Sequence, residues 1–492
     1  MSSDPPIARW DQATAVSPNR VLVDATYTLV SGRHSGVERV VNNLRSGCLR
    51  RSLAMGVGAA TLMSSGGEFY AVEPHMQQAI ERLATIQADI VGHMPWPYRP
   101  IVSTLVQFAG SKRLSKWFLP AAGHLGVFKL PLRVWTKREL KNIHDRSQLV
   151  RPGAGDVLVL PDAYWARKDV WPAVAEARAR GALVAVVVYD LIPISHPEFV
   201  GERRTQRFVE YLRQVALHAD VILTISKTVE EELRAALPQL MGDASYCQHI
   251  EPFPLGAEFS TTEIAPRPAL ASLFGPRRGE NPFLMVAAFD PRKNHRYLLD
   301  AFDEHWKTYP ARKLCLVGRV GSRCADIMQR IATHPALGKQ LFTFHDLSDG
   351  ELQHCYRHSR GVIFPSIVEG FGLPIVEALW HGQHTLASDT PIHREVGGEH
   401  CRYFDLANPE SLVELLVACE QNSFCEVGDD RVHGDASDSR QSQVVGHSST
   451  IARPTSWSES SDQFFDQCLA AFASHPLSAK RIRNQAKLNS AA

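Results

Sequence analysis

Residues 364–382 of the chain read FPSIVEGFGLPIVEALWHG. The short apolar run that ends at Phe364 is followed at once by a proline, which is typical of the end of a buried strand. Pro374 suits the first turn of a helix, where its missing N–H costs nothing, and Gly382 suits the position just after a helix. The stretch therefore predicts a strand, a glycine-rich turn and a helix over 375–381.

The turn and the helix start also predict a ligand site. Free backbone N–H groups and the positive end of the helix dipole would meet there and attract an anion. Glu369 and Glu377 flank this point. Because a carboxylate repels an anion, we expect both to accept hydrogen bonds from ligand hydroxyl groups, as a nucleotide-sugar would provide. The simpler interpretation is that Glu377 complements the helix dipole and that Glu369 is a solvated turn residue.

Local patterns predict further elements of an α/β protein. The runs at 20–24 and 183–188 are short, continuous and apolar, as in buried parallel strands. A loop with two glycines at 28–36 follows the first run and can bring backbone close to a phosphate or a sugar. Two capping boxes, each a Ser or Thr with a Glu three residues later, predict helix starts. They pair Ser348 with Glu351 and Thr228 with Glu231.

The spacing of Glu369 and Glu377 within EGFGLPIVEA resembles the E-x7-E signature of the retaining glycosyltransferases of family 4, which have the GT-B fold. In that family a strand is followed by a Pro-Arg-Lys turn and a helix, and residues 283–305 repeat this pattern. The resemblance covers about residues 19–420 and 454–473. It implies an α/β protein of two Rossmann-like domains that face a central cleft, with a helical insertion in the N-terminal domain.

The resemblance also implies a domain plan, whose segments are as follows. We expect an N-terminal acceptor domain at 19–262 with its insertion at about 76–145, a C-terminal donor-nucleotide domain at 263–455, and a helix at 456–475 that returns to the first domain. Residues 1–18 and 476–492 are predicted to be tails, and the polar, aperiodic stretch at 424–453 to be a disordered insertion.

Functional residues follow from the same resemblance. Glu369 would contact the donor sugar, Lys293 the diphosphate and Glu377 the ribose hydroxyls, while Asp190 lies just past the strand at 183–188. Glu369, Lys293 and Asp190 are the catalytic candidates. The other donor-binding candidates are Arg292, Gly36, Leu347, Gly370, Phe371, Gly372 and Leu373. Tyr189 stands where family members often carry a catalytic histidine, and the cation that many members carry after the strand at 283–289 is missing.

The family transfers a sugar with retention of the anomeric configuration. Because no second carboxylate is placed as a nucleophile, we expect front-face displacement, with the departing phosphate as base. The chain has no Asp-x-Asp metal motif, so we expect no metal and no cofactor.

The donor and the acceptor are less determined. YDLIP, PRKN and EGFGLP together resemble bacterial polysaccharide and O-antigen mannosyltransferases, which makes GDP-mannose the first donor to consider. UDP-glucose, a UDP-N-acetylhexosamine and a dTDP-linked rhamnose are alternatives. The expected acceptor is a growing glycan or a polyprenyl-linked glycan. A non-catalytic protein that binds nucleotide-sugars is the other class that Tyr189 and the missing cation leave open.

Composition limits the location and the partners. The 492 residues carry a formal net charge of +1, which does not favour nucleic-acid binding. Nine cysteines without CxxC spacing suit a reducing compartment, and neither a signal peptide nor a long apolar run is evident, so we expect a cytoplasmic protein. Residues 112–141 combine basic and aromatic side chains. They predict either a peripheral contact with the inner face of the membrane or a helical insertion with solvated cations.

Overall fold

The computed structural model describes residues 17–31, 36–73, 148–166, 169–244, 249–259, 265–321, 323–421 and 454–474. Several predicted segments lie outside these ranges. They are most of the tail at 1–18, the helical insertion at about 76–145 with the basic stretch 112–141, the insertion at 424–453 and the tail at 476–492. Within the described part of the chain, no helix has both the length and the apolar content needed to span a bilayer.

The first domain is built on a sheet of eight strands in the order β4-β3-β2-β1-β5-β6-β7-β8. All neighbours are parallel except β3, which runs antiparallel to both β2 and β4. Its strands are β1 (Arg20–Asp24), β2 (Gly58–Ser65), β3 (Glu68–Ala71), β4 (Leu149–Val150), β5 (Asp156–Leu160), β6 (Leu183–Val188), β7 (Val221–Thr224) and β8 (Ile250–Pro252). Every residue of β5 and β6 is buried, as expected for a sheet covered on both faces.

The second domain is built on a sheet of six strands that are all parallel, in the order β11-β10-β9-β12-β13-β14. Its strands are β9 (Phe283–Val286), β10 (Leu314–Val317), β11 (Leu341–Phe344), β12 (Gly361–Phe364), β13 (Thr385–Ser388) and β14 (Cys401–Phe404). Strand order reverses between β9 and β12, and this switch point is where open α/β sheets bind ligands.

Helices connect the strands and cover the sheets. In the first domain they are α1 (Thr26–Ser31), α2 (Gly36–Ala54), α3 (Trp171–Ala179), α4 (Ile192–Ser195), α5 (Pro197–Val200), α6 (Glu202–His218) and α7 (Lys227–Met241). In the second they are α8 (Pro268–Leu273), α9 (His295–Thr308), α10 (Ala325–Ala332), α11 (Asp349–His358), α12 (Leu373–Trp380), α13 (Pro391–Gly397) and α14 (Pro409–Glu420).

The last described helix, α15 (Trp457–Ser474), returns to the first domain. Phe464 and Phe465 are fully buried in the core that lies beneath β5, β6 and β7. Gly47 of α2 allows the two helices to approach closely, because a Cβ atom there would lie only 2.3 Å from Ser461. Trp457 anchors the start of the helix by donating from its backbone N–H to the Glu258 carboxylate at 2.6 Å. Two α/β domains, one with a mostly parallel sheet and one with a fully parallel sheet, confirm the predicted fold class, while the predicted helical insertion lies outside the described residues.

Two local predictions differ from the structure. Part of the loop predicted at 28–36 is helical, since residues Thr26–Ser31 form a short helix. Within this helix, the backbone N–H of Thr28 donates to the Asp162 carboxylate at 2.9 Å. That stabilising contact comes from a residue 134 positions away and has no local signal. The helix at 373–380 also begins two residues before the predicted start, since Gly372 in the left-handed region with φ of 109° sets its beginning.

Candidate active site

The candidate site lies where β9 and β12 end at their carboxyl edge. A short 3-10 turn, Pro291–Lys293, follows β9, and the Asp290 side chain caps it by accepting from the Arg292 N–H at 3.2 Å. The stretch after β12 is joined to this turn, because the Ile367 N–H donates to the Arg292 carbonyl at 2.8 Å. Two loops that are distant in the sequence are therefore held together at the switch point of the sheet.

Glu369 is bonded to both predicted cations. Its Oε2 accepts from Nη1 of Arg292 at 2.6 Å, and its Oε1 accepts from Nζ of Lys293. The Glu369 side chain is only 8% exposed. Burial alone would raise the pKa of this carboxyl, but the charges of Arg292 and Lys293 outweigh it and lower the pKa to about 2. Glu369 is therefore a carboxylate at any physiological pH.

Lys293 is a buried lysine that lies between the Glu369 carboxylate and an aromatic ring. Its Nζ lies 5.0 Å from the centre of the Phe364 ring. Burial lowers the pKa of Lys293 to about 8, even though Glu369 opposes that shift. The Lys293 ammonium is therefore charged at neutral pH and loses its proton in mild alkali. The electrostatic stabilisation that it can give to an anion depends on pH in the same way.

The glycine-rich turn fits closely against the first domain. A Cβ atom on Gly370 would lie 2.1 Å from the Tyr189 carbonyl oxygen and 3.0 Å from Cβ of Asp190. The hydroxyl of Ser226 donates to the Gly370 carbonyl at 2.9 Å. Only a glycine allows this approach, which brings the carboxyl edges of the two sheets together.

Asp190 and Tyr189 follow β6 and face different surroundings. Burial raises the pKa of Asp190, although the nearby charge of Arg292 and a hydrogen bond from the Ile192 N–H, at 3.1 Å, both lower it. The Tyr189 hydroxyl instead donates to the Pro161 carbonyl at 2.5 Å. Burial raises the pKa of this phenol well above 10, so it stays protonated. The Tyr189 hydroxyl proton is engaged in the hydrogen bond that ties the loop after β5 to this residue.

Gly36 and the end of the turn meet across the cleft. A Cβ atom on Gly36, at the start of α2, would lie 3.2 Å from Cδ1 of Leu373. Phe371 and Leu373 are half-buried and pack against the core of the first domain. The structure thus brings three predicted donor-binding residues into one contact between domains.

Glu377 lies on α12, one helical turn after Leu373. Its carboxylate is hydrogen-bonded to partners that the sequence did not indicate. Its Oε1 accepts from Nη1 of Arg39 in the first domain, and its Oε2 accepts from the Tyr356 hydroxyl at 2.7 Å. Burial raises the pKa of Glu377, and the charge of Arg39 opposes that shift. Leu347 is half-buried and packs in the same apolar cluster as Tyr356. The interpretation of Glu377 as a mere complement to the dipole does not explain these contacts.

A second polar contact joins the domains at the start of α7. The Glu395 carboxylate of α13 accepts from the backbone N–H groups of Lys227 and Thr228, at 2.7 and 2.8 Å. The capping box predicted for Thr228 and Glu231 is therefore wrong. Ser226 is the N-cap, and the Thr228 hydroxyl donates to Glu395. A carboxylate at a helix N-terminus is favourable because it meets free N–H groups and the positive end of the dipole.

Sequence reasoning thus missed Arg39, Tyr356 and Ser226. Arg39 follows Gly36 by three residues, so its position on the cleft side of α2 could have been inferred from helical spacing. Tyr356 and Ser226 had no comparable signal. Within the described ranges, no group of three or more His, Cys, Asp or Glu residues is placed to hold a metal ion.

Comparison with known proteins finds a family match in the second domain. Residues 274–423 match the family model described as "Glycosyl transferases group 1". Over this segment the chain resembles a group 1 glycosyltransferase domain. This domain contains the loop with Arg292 and Lys293, the turn with Glu369 and the helix with Glu377, so the family match and the clustered side chains fall on the same residues.

Curated relatives of the chain include two bacterial mannosyltransferases. The chain is 32% identical over 254 residues to the serotype-specific mannosyltransferase WbdA of Escherichia coli, which covers 50% of this chain and 31% of that protein. It is 22% identical over 236 residues to the O-antigen chain mannosyltransferase RfbU of Salmonella typhimurium, covering 48% of this chain and 60% of the relative. The chain thus spans about a third of the length of WbdA.

Solved structures also resemble the chain over nearly its whole length. One is Anabaena Alr3699/HepE in complex with UDP and glucose, with a TM-score of 0.47, 12% identity and coverage of 95% of this chain and 99% of that one. Another is sucrose-phosphate synthase from Thermosynechococcus elongatus, with a TM-score of 0.46, 14% identity and coverage of 96% and 100%.

Proposed function

We propose that this protein is a retaining, metal-independent hexosyltransferase that uses a nucleotide-sugar, with GDP-mannose as the donor. The observation that carries the proposal is the cluster of Glu369, Arg292 and Lys293 at the carboxyl edge of the group 1 domain, opposite Asp190. It joins a permanent carboxylate, suited to sugar hydroxyls, to two cations, suited to a diphosphate. The names of the O-antigen mannosyltransferase relatives support mannose as the sugar.

The proposed reaction breaks the bond between the anomeric carbon and the diphosphate oxygen. Negative charge grows on the departing diphosphate, and Lys293, Arg292 and the backbone amides near Phe371 and Gly372 are available to stabilise it. The acceptor hydroxyl forms its bond to the anomeric carbon on the face that the diphosphate leaves. The proton of that hydroxyl passes to the departing phosphate oxygen. Nucleoside diphosphate and a glycoside of unchanged configuration are the products.

The remaining residues are proposed to hold the donor. Glu377 would accept hydrogen bonds from the ribose hydroxyls, and Leu347 lies in the loop proposed to contact the base. Gly36 and Leu373 would line the diphosphate from both domains. Asp190 is proposed to face the reacting sugar, since it lies beside the turn that carries Glu369.

The acceptor is proposed to be a growing glycan or a polyprenyl-linked glycan, as the O-antigen relatives suggest. We propose that the protein works in the cytoplasm at the inner face of the cytoplasmic membrane. No cofactor is proposed, and activity should persist in the presence of a metal chelator.

A thermal-shift panel tests the donor class. Ligands that bind only the native state raise its stability with concentration as RT ln(1 + [L]/Kd). GDP and GDP-mannose should shift the melting temperature more than UDP, dTDP and their sugars. A larger shift with UDP or dTDP ligands would replace mannose with the sugar of that nucleotide.

One observation favours a second candidate, a nucleotide-sugar-binding protein without transferase activity. The Tyr189 hydroxyl is bonded to the Pro161 carbonyl and so supplies no base at the position where family members often carry histidine. Binding of GDP-mannose without any release of GDP in the presence of acceptor would favour this candidate. Release of GDP that depends on Lys293 would exclude it.

A further inference from the structure

Arg39 is the cation of the first domain that reaches Glu377 across the cleft. Its side chain is 23% exposed, and its guanidinium lies 4.8 Å from the centre of the Phe259 ring. It donates to the Glu377 carboxylate, and its Nη2 lies 3.7 Å from Oδ1 of Asp349, at the start of α11. The guanidinium is therefore fixed by one aromatic face and two carboxylates.

The contacts of Glu377 leave it able to bind a ligand. An ionised carboxylate has about four lone-pair sites, and Arg39 and Tyr356 each occupy one of them. By this count two lone pairs remain, which is the capacity needed to accept from two adjacent hydroxyl groups. Without Arg39, a carboxylate that is 4% exposed would have only a neutral partner, and burial would favour its protonated form. A protonated carboxyl accepts hydrogen bonds poorly.

We propose that Arg39 is a positioning residue for nucleoside recognition, which keeps Glu377 ionised and aimed at the two ribose hydroxyls. This inference rests on the proposed function, in which Glu377 takes the ribose. The first domain is then part of the nucleoside site, because Arg39 of α2 determines the ionisation and the orientation of Glu377 of α12. Nucleoside binding is then coupled to the contact between the domains.

The opposite role predicts an opposite sign. If the ion pair blocked Glu377, the ribose would have to displace Arg39, and removal of the guanidinium would tighten nucleotide binding. If Arg39 positions Glu377, removal weakens binding, and only for ligands that carry ribose hydroxyls. The sign and the dependence on the hydroxyl groups therefore separate the two roles.

The test is calorimetric titration of Arg39→Gln and of the wild-type protein with GDP and with 2′,3′-dideoxy-GDP. We expect Arg39→Gln to weaken GDP binding about tenfold, the scale of one hydrogen bond to a charged group. The same substitution should change binding of the dideoxy ligand by less than about twofold, since that ligand offers Glu377 no donor. Arg39→Lys keeps the charge and should recover part of the GDP affinity.

Arg50→Gln is the matched control, because Arg50 is also on α2 but pairs with Asp462 of the returning helix, at 2.7 Å and outside the cleft. It should leave the affinity for GDP unchanged. Equal losses for GDP and its dideoxy form in Arg39→Gln would overturn the inference, and so would unchanged or tighter GDP binding. If the wild-type protein bound neither GDP nor UDP, the proposed function itself would fail, and the inference with it.

Discussion

Glu369 of the glycine-rich turn and Arg292 of the loop after β9 form an ion pair of 2.6 Å, although they are 77 positions apart in the sequence. The same carboxylate also accepts from Lys293. This arrangement has two consequences. Glu369 holds two cations at the switch point of the sheet, and those cations hold it ionised.

Substitution of Lys293 tests the electrostatic part of this account. Lys293→Ala should lower turnover of GDP-mannose by about 10²–10³-fold, the scale of losing one preorganised contact to a developing charge. The measurement is the rate of GDP release at saturating donor. A loss below about threefold would refute the role given to Lys293.

The pH dependence of the reaction follows from the same lysine. Its pKa of about 8 means that the charged form dominates at pH 7 and is lost as the pH rises through 8. The value of kcat/KM for the donor, which reports the free enzyme, should therefore fall above pH 8. Lys293→Arg carries its charge to higher pH and should shift that decline upward. A profile that is the same for both proteins would mean that another group titrates.

Substitution of Tyr189 is expected to have only a small effect on turnover. Its hydroxyl donates to the Pro161 carbonyl and its pKa is raised well above 10, so it does not act as a base. Tyr189→Phe should leave turnover within about threefold of wild type and should lower stability by about 1 kcal/mol through the lost hydrogen bond. Turnover and the unfolding midpoint in urea can be measured on the same preparation. A loss of activity of about a hundredfold would show that the phenol takes part in the reaction.

Substitution of Gly370 is expected to lower turnover strongly, although it changes no charge. Gly370→Ala places a Cβ atom 2.1 Å from the Tyr189 carbonyl, so the turn must move away from the first domain. Turnover should fall by about 10²-fold, because small displacements of catalytic groups are that costly. Gly275→Ala is the control, since a Cβ atom there meets nothing within 4 Å. Similar activity of the two variants would contradict the close fit of the turn.

Much of the fold could be predicted because its signals are local. The strand at 183–188 is a continuous run of apolar, mostly β-branched residues, and the structure gives it the predicted bounds. The capping box of Ser348 and Glu351 is also present, because both of its bonds connect residues three positions apart. In contrast, the helix at 26–31 depends on Asp162 and could not be read from its own residues.

The site could be predicted only in part for the same reason. The residues of the turn share one short stretch, and their resemblance to a family brought in Lys293 and Arg292. One partner of Glu377 is Arg39, which lies 338 positions away, and one partner of Glu395 is Thr228, which lies 167 positions away. Contacts between domains depend on how the two sheets face each other, which no local pattern specifies.

The central claim is retaining transfer from a nucleotide-sugar by the cluster around Glu369 and Lys293. It is tested most directly by proton NMR of GDP-mannose with the wild-type protein and with Lys293→Ala, with water as the acceptor. We expect α-mannose to appear first, before mutarotation, and the Lys293→Ala protein to release it far more slowly. First appearance of β-mannose, or release at the same rate by both proteins, would contradict the account.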